Sequence, residues 1–313
     1  MHTANQSCPP FIVFTPKRWS GSAGIYALHS LGNNLLKIGC DVYFYFYDLV
    51  DHAPTTHQNE ELYFYEEHAE NRKSWKKASG RLPLVDESIV IYPEVIPDNP
   101  LGAKRVVRYV MNYPEKNMHP MRPGENDFFL AYWREYYPSK YHFELPILSI
   151  SSELLGNKDG IPFNQRSIDA TYIGKGVKLP GSFFLPGTIP IHRDIPSTKR
   201  ELYSLLSKTR LFYSWDPLSA ILFEALFCGA VPVIIRTQPY FDALPVFSKL
   251  GPAPFARVKS QTDGGFELDF NSNDFEADRE KYIRSSLNCL AEEHDAVSKF
   301  LNLCLMHFSE ITT

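Results

Sequence analysis

The stretch that decides the fold is Phe212-Tyr-Ser-Trp-Asp-Pro-Leu-Ser-Ala-Ile-Leu-Phe-Glu-Ala-Leu-Phe-Cys-Gly-Ala-Val-Pro-Val-Ile-Ile235. Its opening apolar run predicts a buried strand, and Asp216 followed by Pro217 predicts the N-cap and first turn of a helix. Gly229 is typical of a helix end, and the apolar run from Val231 predicts a second strand, covered on both faces as in a parallel sheet. The window therefore predicts a strand–helix–strand unit of an α/β protein.

Glu224 is the unusual residue of this predicted helix, because its neighbours along the chain are almost all apolar. It follows Asp216 by about two helical turns, so both acids fall near the same face. A charge in an apolar helix needs a partner, which is either a ligand or a nearby Lys or Arg. The predicted helix also begins at the carboxyl end of a strand, where free N–H groups favour an anion.

Together these residues carry a resemblance to a known family. The window is similar to the donor-binding segment of GT-B-fold glycosyltransferases of the group 1-like type, which carry an E-x7-E signature and an Ala-Cys-Gly-x-Pro-Val tail. Here Asp216 replaces the first Glu, Phe227–Val233 forms the tail, and the usual Gly-x-Gly between the acids is missing. The resemblance implies that Glu224 binds the ribose hydroxyls, that Leu218 and Ser219 offer backbone N–H groups to the diphosphate, and that Asp216 faces the donor sugar.

A second glycine-bearing loop, with basic residues, follows the predicted strand that ends at residue 173. In the same family such a loop holds the donor diphosphate, so the resemblance assigns that role to Gly174, Lys175 and Lys178. Glycines and lysines also populate ordinary turns. His192 and Arg193, at a predicted strand end, are candidates for phosphate or base contact, and a solvated loop is the alternative interpretation.

The first half of the chain opens with a strand, a glycine-bearing loop, an amphipathic helix and another strand. Gly21, Ser22 and Gly24 lie in that loop, where the resemblance implies contact with the acceptor and the donor phosphate. The dinucleotide fingerprint G-x-G-x-x-G is not met.

Two further residues of the first half are candidates for catalysis, beside Asp216 and Glu224. Glu94 follows a predicted strand at the edge where ligands bind in open sheets. His29 lies in the first predicted helix, facing either a cleft or the core. The family resemblance implies retention of anomeric configuration, with the leaving diphosphate stabilised by lysines and the helix dipole. If the enzyme inverts, His29 or Glu94 would serve as the base.

The remaining pattern predicts helices over residues 66–78 and 103–112 and a domain boundary near residue 155. We therefore expect two doubly wound, Rossmann-like domains facing each other across a cleft, the second of them abbreviated. Residues 1–155 would form the acceptor domain. Residues 156–313 would form the donor domain, with C-terminal helices that cross back to the first.

The composition of the chain bears on which binding partners and which cellular compartment we expect for the protein. The net charge is −4 and neither half has a basic excess, so we expect no nucleic-acid partner. Five cysteines without a C-x-x-C argue against a disulfide framework or a zinc site and favour a reducing cytoplasm. The basic cluster Arg72–Arg81 would rest on an anionic membrane surface at the inner face of the membrane, or form a solvated helix face.

These features predict a glycosyltransferase that moves a sugar from a nucleoside-diphosphate sugar to a glycan or lipid-linked acceptor, without a cofactor. Two alternatives stay open at this level. One is a nucleotide-sugar epimerase of the same fold, which would turn over without an acceptor. The other is a non-catalytic partner of a polysaccharide assembly complex, which would bind the donor without hydrolysis or transfer.

The sequence predicts activity without a metal ion. It lacks a D-x-D motif, and lysines with backbone N–H groups are expected to stabilise the diphosphate instead. Transfer should therefore continue in excess EDTA. A complete loss that magnesium or manganese restores would contradict this prediction.

Overall fold

The computed structural model describes residues 8–16, 22–47, 63–64, 76–77, 85–114, 120–137, 139–149, 154, 161–174, 184–192, 195–216, 219–235, 256–262, 265–270 and 272–311. The chain divides into two compact units. The first comprises Met1–Ile147 together with Cys289–Thr313, and the second comprises Leu148–Asn288. Each unit is built on its own sheet.

The first unit holds an eight-stranded sheet in the order β4-β3-β2-β1-β5-β6-β7-β8. Its strands are β1 (Phe11–Pro16), β2 (Val42–Tyr47), β3 (Tyr63–Phe64), β4 (Lys76–Lys77), β5 (Ile89–Pro93), β6 (Arg105–Val110), β7 (Phe128–Ala131) and β8 (Phe143–Glu144). All pairings are parallel except β2–β3 and β3–β4. Helix α1 (Ala23–Lys37) connects β1 to β2 and ends before Gly39, whose φ of +92° suits a glycine.

The helix predicted over residues 103–112 is wrong, because Arg105–Val110 is the buried strand β6. Alternate residues pack on opposite faces, with Val106 in one core cluster and Val107 in the other. Arg108 obscured this two-residue period, since a charged side chain in a central strand is unexpected. Its guanidinium is buried and donates to Asp127 (2.7 Å) and to main-chain carbonyls, which compensates the charge.

Two other expectations for the first unit also need revision. Lys76–Lys77 is strand β4, so a helix over 66–78 is wrong at these two residues, and the rest of that range lies outside the described residues. A disulfide joins Cys8 to Cys40, with Cα atoms 5.5 Å apart. The sequence did not predict it, because the pair forms only once the parallel strands β1 and β2 bring their amino ends together.

The second unit holds a six-stranded sheet in the order β10-β9-β11-β12-β13-β14. Its strands are β9 (Ile168–Tyr172), β10 (Ile189–Ile191), β11 (Thr209–Ser214), β12 (Val231–Ile234), β13 (Ala256–Thr262) and β14 (Gly265–Asp269). Only the β13–β14 pairing is antiparallel. Helices α2 (Lys199–Leu206) and α3 (Ile221–Phe227) precede and follow β11. The α/β class with two predominantly parallel, Rossmann-like sheets is therefore confirmed.

Arg166 fastens the amino edge of the second sheet. Its guanidinium donates to four main-chain carbonyls, those of Ile161 (2.7 Å), Thr209 (3.0 Å), Cys228 (3.0 Å) and Leu206 (3.4 Å). Gly229 has a φ of +83°, and a Cβ there would collide with this guanidinium. The predicted helix stop at Gly229 is therefore required both by the backbone turn and by the space that Arg166 occupies.

Helix α4 (Ser272–Ile311) is the last element, and its 40 residues contribute to both units. Arg279 donates to the carbonyls of Leu226 and Phe227, the C-terminal end of α3. Further along, Val297, Phe300, Cys304 and Phe308 enter the core of the first unit. Within the described part of the chain, no helix has an apolar stretch long enough to cross a membrane.

Arg166→Met should lower the free energy of unfolding of the second unit by about 3 kcal/mol or more, because several buried carbonyls lose a charged donor. Arg210→Met is the matched control. Arg210 pairs with Asp169 at the surface, and such exposed pairs contribute at most about 1 kcal/mol. Urea unfolding followed by circular dichroism measures both changes. Equal losses in the two variants would contradict the role assigned to Arg166.

We expect acid to lower the stability of the first unit through the protonation of His142. Its Nδ1 accepts the N–H of Phe129 at 2.8 Å, and its ring stacks on Phe128. Partial desolvation by these neighbours lowers the pKa of His142 below its usual value, and the nearby His307 lowers it further. The unfolded chain therefore binds a proton at a higher pH than the folded chain does.

The contribution of His142 to stability should accordingly be fully present above a pH of about 6.5 and be lost as the pH falls toward the depressed pKa of this residue in the folded protein. His142→Asn retains an acceptor near the Nδ1 position but cannot titrate. We expect a shallower dependence of the unfolding free energy on pH in this variant. Identical slopes in both proteins would reject the assignment.

Candidate functional site

The carboxyl edge of the second sheet collects most of the described donor-side residues predicted from the sequence. Strands β9, β11 and β12 are parallel neighbours, so the segments that follow them emerge at the same edge. Gly174 follows β9, and Asp216 follows β11. Ligands of open α/β sheets bind at such an edge.

Gly174 and Asp216 lie side by side. Gly174 has a φ of +52°, and a Cβ added there would lie 2.9 Å from Asp216 Oδ2 and would collide with the Tyr172 ring. Only glycine fits this approach of the two segments without strain. Two segments that are 42 positions apart in the sequence therefore meet at one point of the edge.

The predicted N-cap role of Asp216 is wrong, because α3 begins at Ile221 and its N-cap is Ala220. The carbonyl of Asp216 instead accepts from the Ser214 hydroxyl (3.0 Å) and from the Ser219 N–H (3.4 Å). Asp216 itself is buried. Since α3 spans only seven residues, the diphosphate-binding role of its N-terminus stays a prediction.

Glu224 is held by Lys199, the first residue of α2. Lys199 Nζ lies 2.5 Å from Glu224 Oε1, and the two side chains are 25% and 6% exposed. The ammonium also lies 5.9 Å from the centroid of the Tyr203 ring. The sequence left open a ligand or a nearby cation as the partner of Glu224, and the structure supplies the cation.

The second oxygen of Glu224 is different. Oε2 is buried and has no hydrogen-bond partner among the described residues. Burial raises the pKa of the Glu224 carboxyl, and Lys199 opposes that rise by its charge and its hydrogen bond. A buried carboxylate oxygen without a donor costs free energy, so this atom is a place where a ligand hydroxyl would be stabilising.

Other donor-side candidates are placed less fully. Ser219 is partly buried, and its N–H is directed to Asp216. His192 packs against the Phe184 ring at 4.6 Å. Lys175, Lys178, Arg193 and Leu218 lie outside the described residues, and their roles stay predictions.

In the first unit, the structure brings Gly24 and Glu94 to the same residue, Met111. Glu94 is buried and accepts the backbone N–H of Met111 at 3.0 Å. A Cβ on Gly24 would lie 3.6 Å from Met111 Cε. Ser22 is the N-cap of α1, without a capping hydrogen bond from its side chain, and Gly21 lies outside the described residues.

His29 lies on the β2 side of α1, whereas Glu94 ends the β5 segment on the other side of β1. The imidazole ring of His29 makes an edge contact with the ring of Phe44, a core residue, and the two centroids are 5.3 Å apart. This contact favours the interpretation of His29 as a core histidine. Its role as a base stays a prediction that the structure does not support.

Lys199 is the site residue that the sequence analysis missed. One signal was available, since the sequence predicts a helix N-cap at Ser197 or Thr198, with Glu201 in the first turn, and this places Lys199 at the start of the helix. In the structure the N-cap is Thr198, which forms a reciprocal capping box with Glu201. The pairing of Lys199 with Glu224, 25 residues away, depends on the packing of α2 beside α3. Among the described residues, no group of three or more His, Cys, Asp or Glu side chains could hold a metal ion.

The chain matches no known family model and no curated protein. Among solved structures it is similar to an alpha-glucosyltransferase in complex with UDP and a 13-mer DNA containing a central A:G mismatch, at 13% identity and a TM-score of 0.41, covering 97% of this chain and 100% of that one. A second alpha-glucosyltransferase structure, with UDP and a 13-mer DNA containing an HMU base, has 12% identity and a TM-score of 0.40, covering 98% and 99%. At these values neither likeness identifies a substrate or acceptor of this chain.

The prediction that the protein has no nucleic-acid partner is wrong, because the comparisons do not allow such a partner to be excluded. Both of the similar structures contain DNA beside UDP. The even division of charge between the two halves is a property of the whole chain. A surface for nucleic acid needs only a local group of cations, which such a balance does not exclude. The Arg72–Arg81 cluster, predicted to meet a membrane, lies outside the described residues except for the backbone of Lys76–Lys77.

Proposed function

We propose that the protein is a glycosyltransferase that binds a nucleoside-diphosphate sugar at the carboxyl edge of its second sheet. The observation that carries this proposal is the buried Glu224 carboxylate, with Oε1 on Lys199 and Oε2 without a partner among the described residues. A ribose diol offers two hydroxyl donors, which suits a carboxylate that retains unused lone pairs.

The residues around Glu224 suit the diphosphate and the sugar of such a donor. Gly174 brings its backbone against Asp216 with no side chain between them, so main-chain atoms of the segment after β9 lie beside the acid that faces the sugar in this proposal. Asp216, at the end of β11, faces the transferred sugar in this proposal, and Lys175 and Lys178 neutralise the diphosphate. Hydrogen bonds to a charged acceptor are the stronger class, so Glu224 supplies much of the donor affinity.

The acceptor, on this proposal, is a glycan or lipid-linked glycan bound by the first unit, near Gly24 and Glu94. The transfer retains the anomeric configuration, as the E-x7-E resemblance implies. The leaving diphosphate is stabilised by cations rather than by a strong protein base. This fits a buried Glu94 whose carboxylate already accepts the Met111 N–H.

Glu224→Ala should lower the affinity for the tightest-binding of UDP, GDP and ADP by two to four orders of magnitude. The estimate counts two hydrogen bonds to a charged acceptor at about 1.5–3 kcal/mol each. Isothermal titration calorimetry measures it. The matched control is Glu280→Gln, which removes an exposed carboxylate from α4 and should leave affinity unchanged.

The 2′-deoxy form of the same nucleotide makes the test specific to ribose. Wild-type protein should bind it at least about tenfold more weakly than the ribonucleotide, and Glu224→Ala should not discriminate. A folded Glu224→Ala protein with unchanged affinity would reject the ribose assignment. Transfer assays should include oligosaccharide, lipid-linked and DNA acceptors, and turnover of the nucleotide sugar without any acceptor would contradict a transferase.

A further inference from the structure

We propose that Lys199 is a positioning residue of the nucleotide site, which keeps Glu224 ionised and turns one of its carboxylate oxygens toward the ligand. The inference rests on the proposed function, and it adds a residue that no sequence motif indicated. Lys199 acts through Glu224, by a contact of 2.5 Å between Nζ and Oε1.

The first step is the cost of the Glu224 charge. Its side chain is 6% exposed, and its helix neighbours Leu222, Ala225 and Leu226 are core residues. In such surroundings the neutral acid is favoured unless a cation lies close by. A protonated Glu224 would give up part of its capacity to accept hydrogen bonds from a ribose diol.

The second step is that, among the residues that the structure describes, Lys199 is the cation that acts on the Glu224 carboxyl. Of the elements packed around α3, strand β12 (Val231–Ile234) is wholly apolar, and α4 brings Arg279 to the carbonyls at the other end of α3. Strand β11 carries Arg210, which pairs with Asp169. The influences that shift the pKa of Glu224 are burial, which raises it, and Lys199, which lowers it.

The third step is the fixed position of Lys199. Thr198 and Glu201 form a capping box that sets the first turn of α2, from which Lys199 projects. The ammonium lies between the Glu224 carboxylate and the face of Tyr203. Because Oε1 is bound on that side, the orientation of the carboxylate is set and Oε2 is left for the ligand.

Lys199→Met keeps most of the aliphatic stem and removes the charge. At pH 7 we expect this variant to bind the tightest of UDP, GDP and ADP about tenfold or more weakly than wild type, because Oε1 loses the group that orients the carboxylate and a larger fraction of Glu224 carries a proton without the nearby cation. Raising the pH should restore much of the affinity in Lys199→Met, whereas wild type should change little. Lys199→Arg should retain the wild-type profile, and Lys208→Met, an exposed change beyond α2, is the matched control.

A second readout needs no nucleotide. The titration of the Glu224 carboxyl, followed by carbon-13 NMR of ligand-free protein and assigned with Glu224→Gln, should move to higher pH in Lys199→Met. An unmoved titration, or a loss of nucleotide affinity by the same factor at every pH, would overturn the positioning role. Failure of wild-type protein to bind any of the three nucleotides would instead count against the proposed function, while the NMR titration still decides the effect of Lys199 on Glu224.

Discussion

Burying a charged side chain without hydrogen-bond or ion-pair partners costs more free energy than a single ordinary contact contributes. Both units contain buried charged side chains that meet this constraint. In the first, Arg108 sits in the central strand β6 and is matched by Asp127 and two carbonyls. In the second, Arg166 is matched by four carbonyls that belong to separate elements. Each buried cation therefore holds several segments together, because these segments cannot move apart without leaving the buried charge without hydrogen-bond partners.

Glu224 obeys the same constraint with a different outcome. Lys199 compensates its charge through one oxygen, and the other oxygen remains without a donor among the described residues. A carboxylate that is ionised, oriented and incompletely bonded is a suitable acceptor for a ligand. The parallel topology adds the second requirement, since it brings Gly174 and Asp216 together at the same edge of the sheet.

Sequence reasoning succeeded where a local pattern carries the information. The strand before Asp216, the helix stop at Gly229 and the apolar strand that follows it are correctly predicted, as is a helix cap at Ser197 or Thr198, which the structure places at Thr198. It failed at residues 103–112, where Arg108 in a buried strand resembles a residue of a helix surface. It also failed for Asp216, because α3 begins only at Ile221 and the Asp216 carbonyl accepts from Ser214 and Ser219 instead.

The sequence by itself determined the strand–helix–strand unit around Glu224, the helix stop at Gly229 and the presence of an acid in an apolar helix. These features depend on residues within a few positions of one another, so periodicity and capping reveal them. Tertiary structure alone decided that Lys199 is the partner of Glu224, that Gly174 lies against Asp216, and that Arg108 is a core residue. Each of these contacts depends on strand pairing and helix packing, which bring together residues that are far apart in the sequence. Patterns among neighbouring residues therefore cannot predict them.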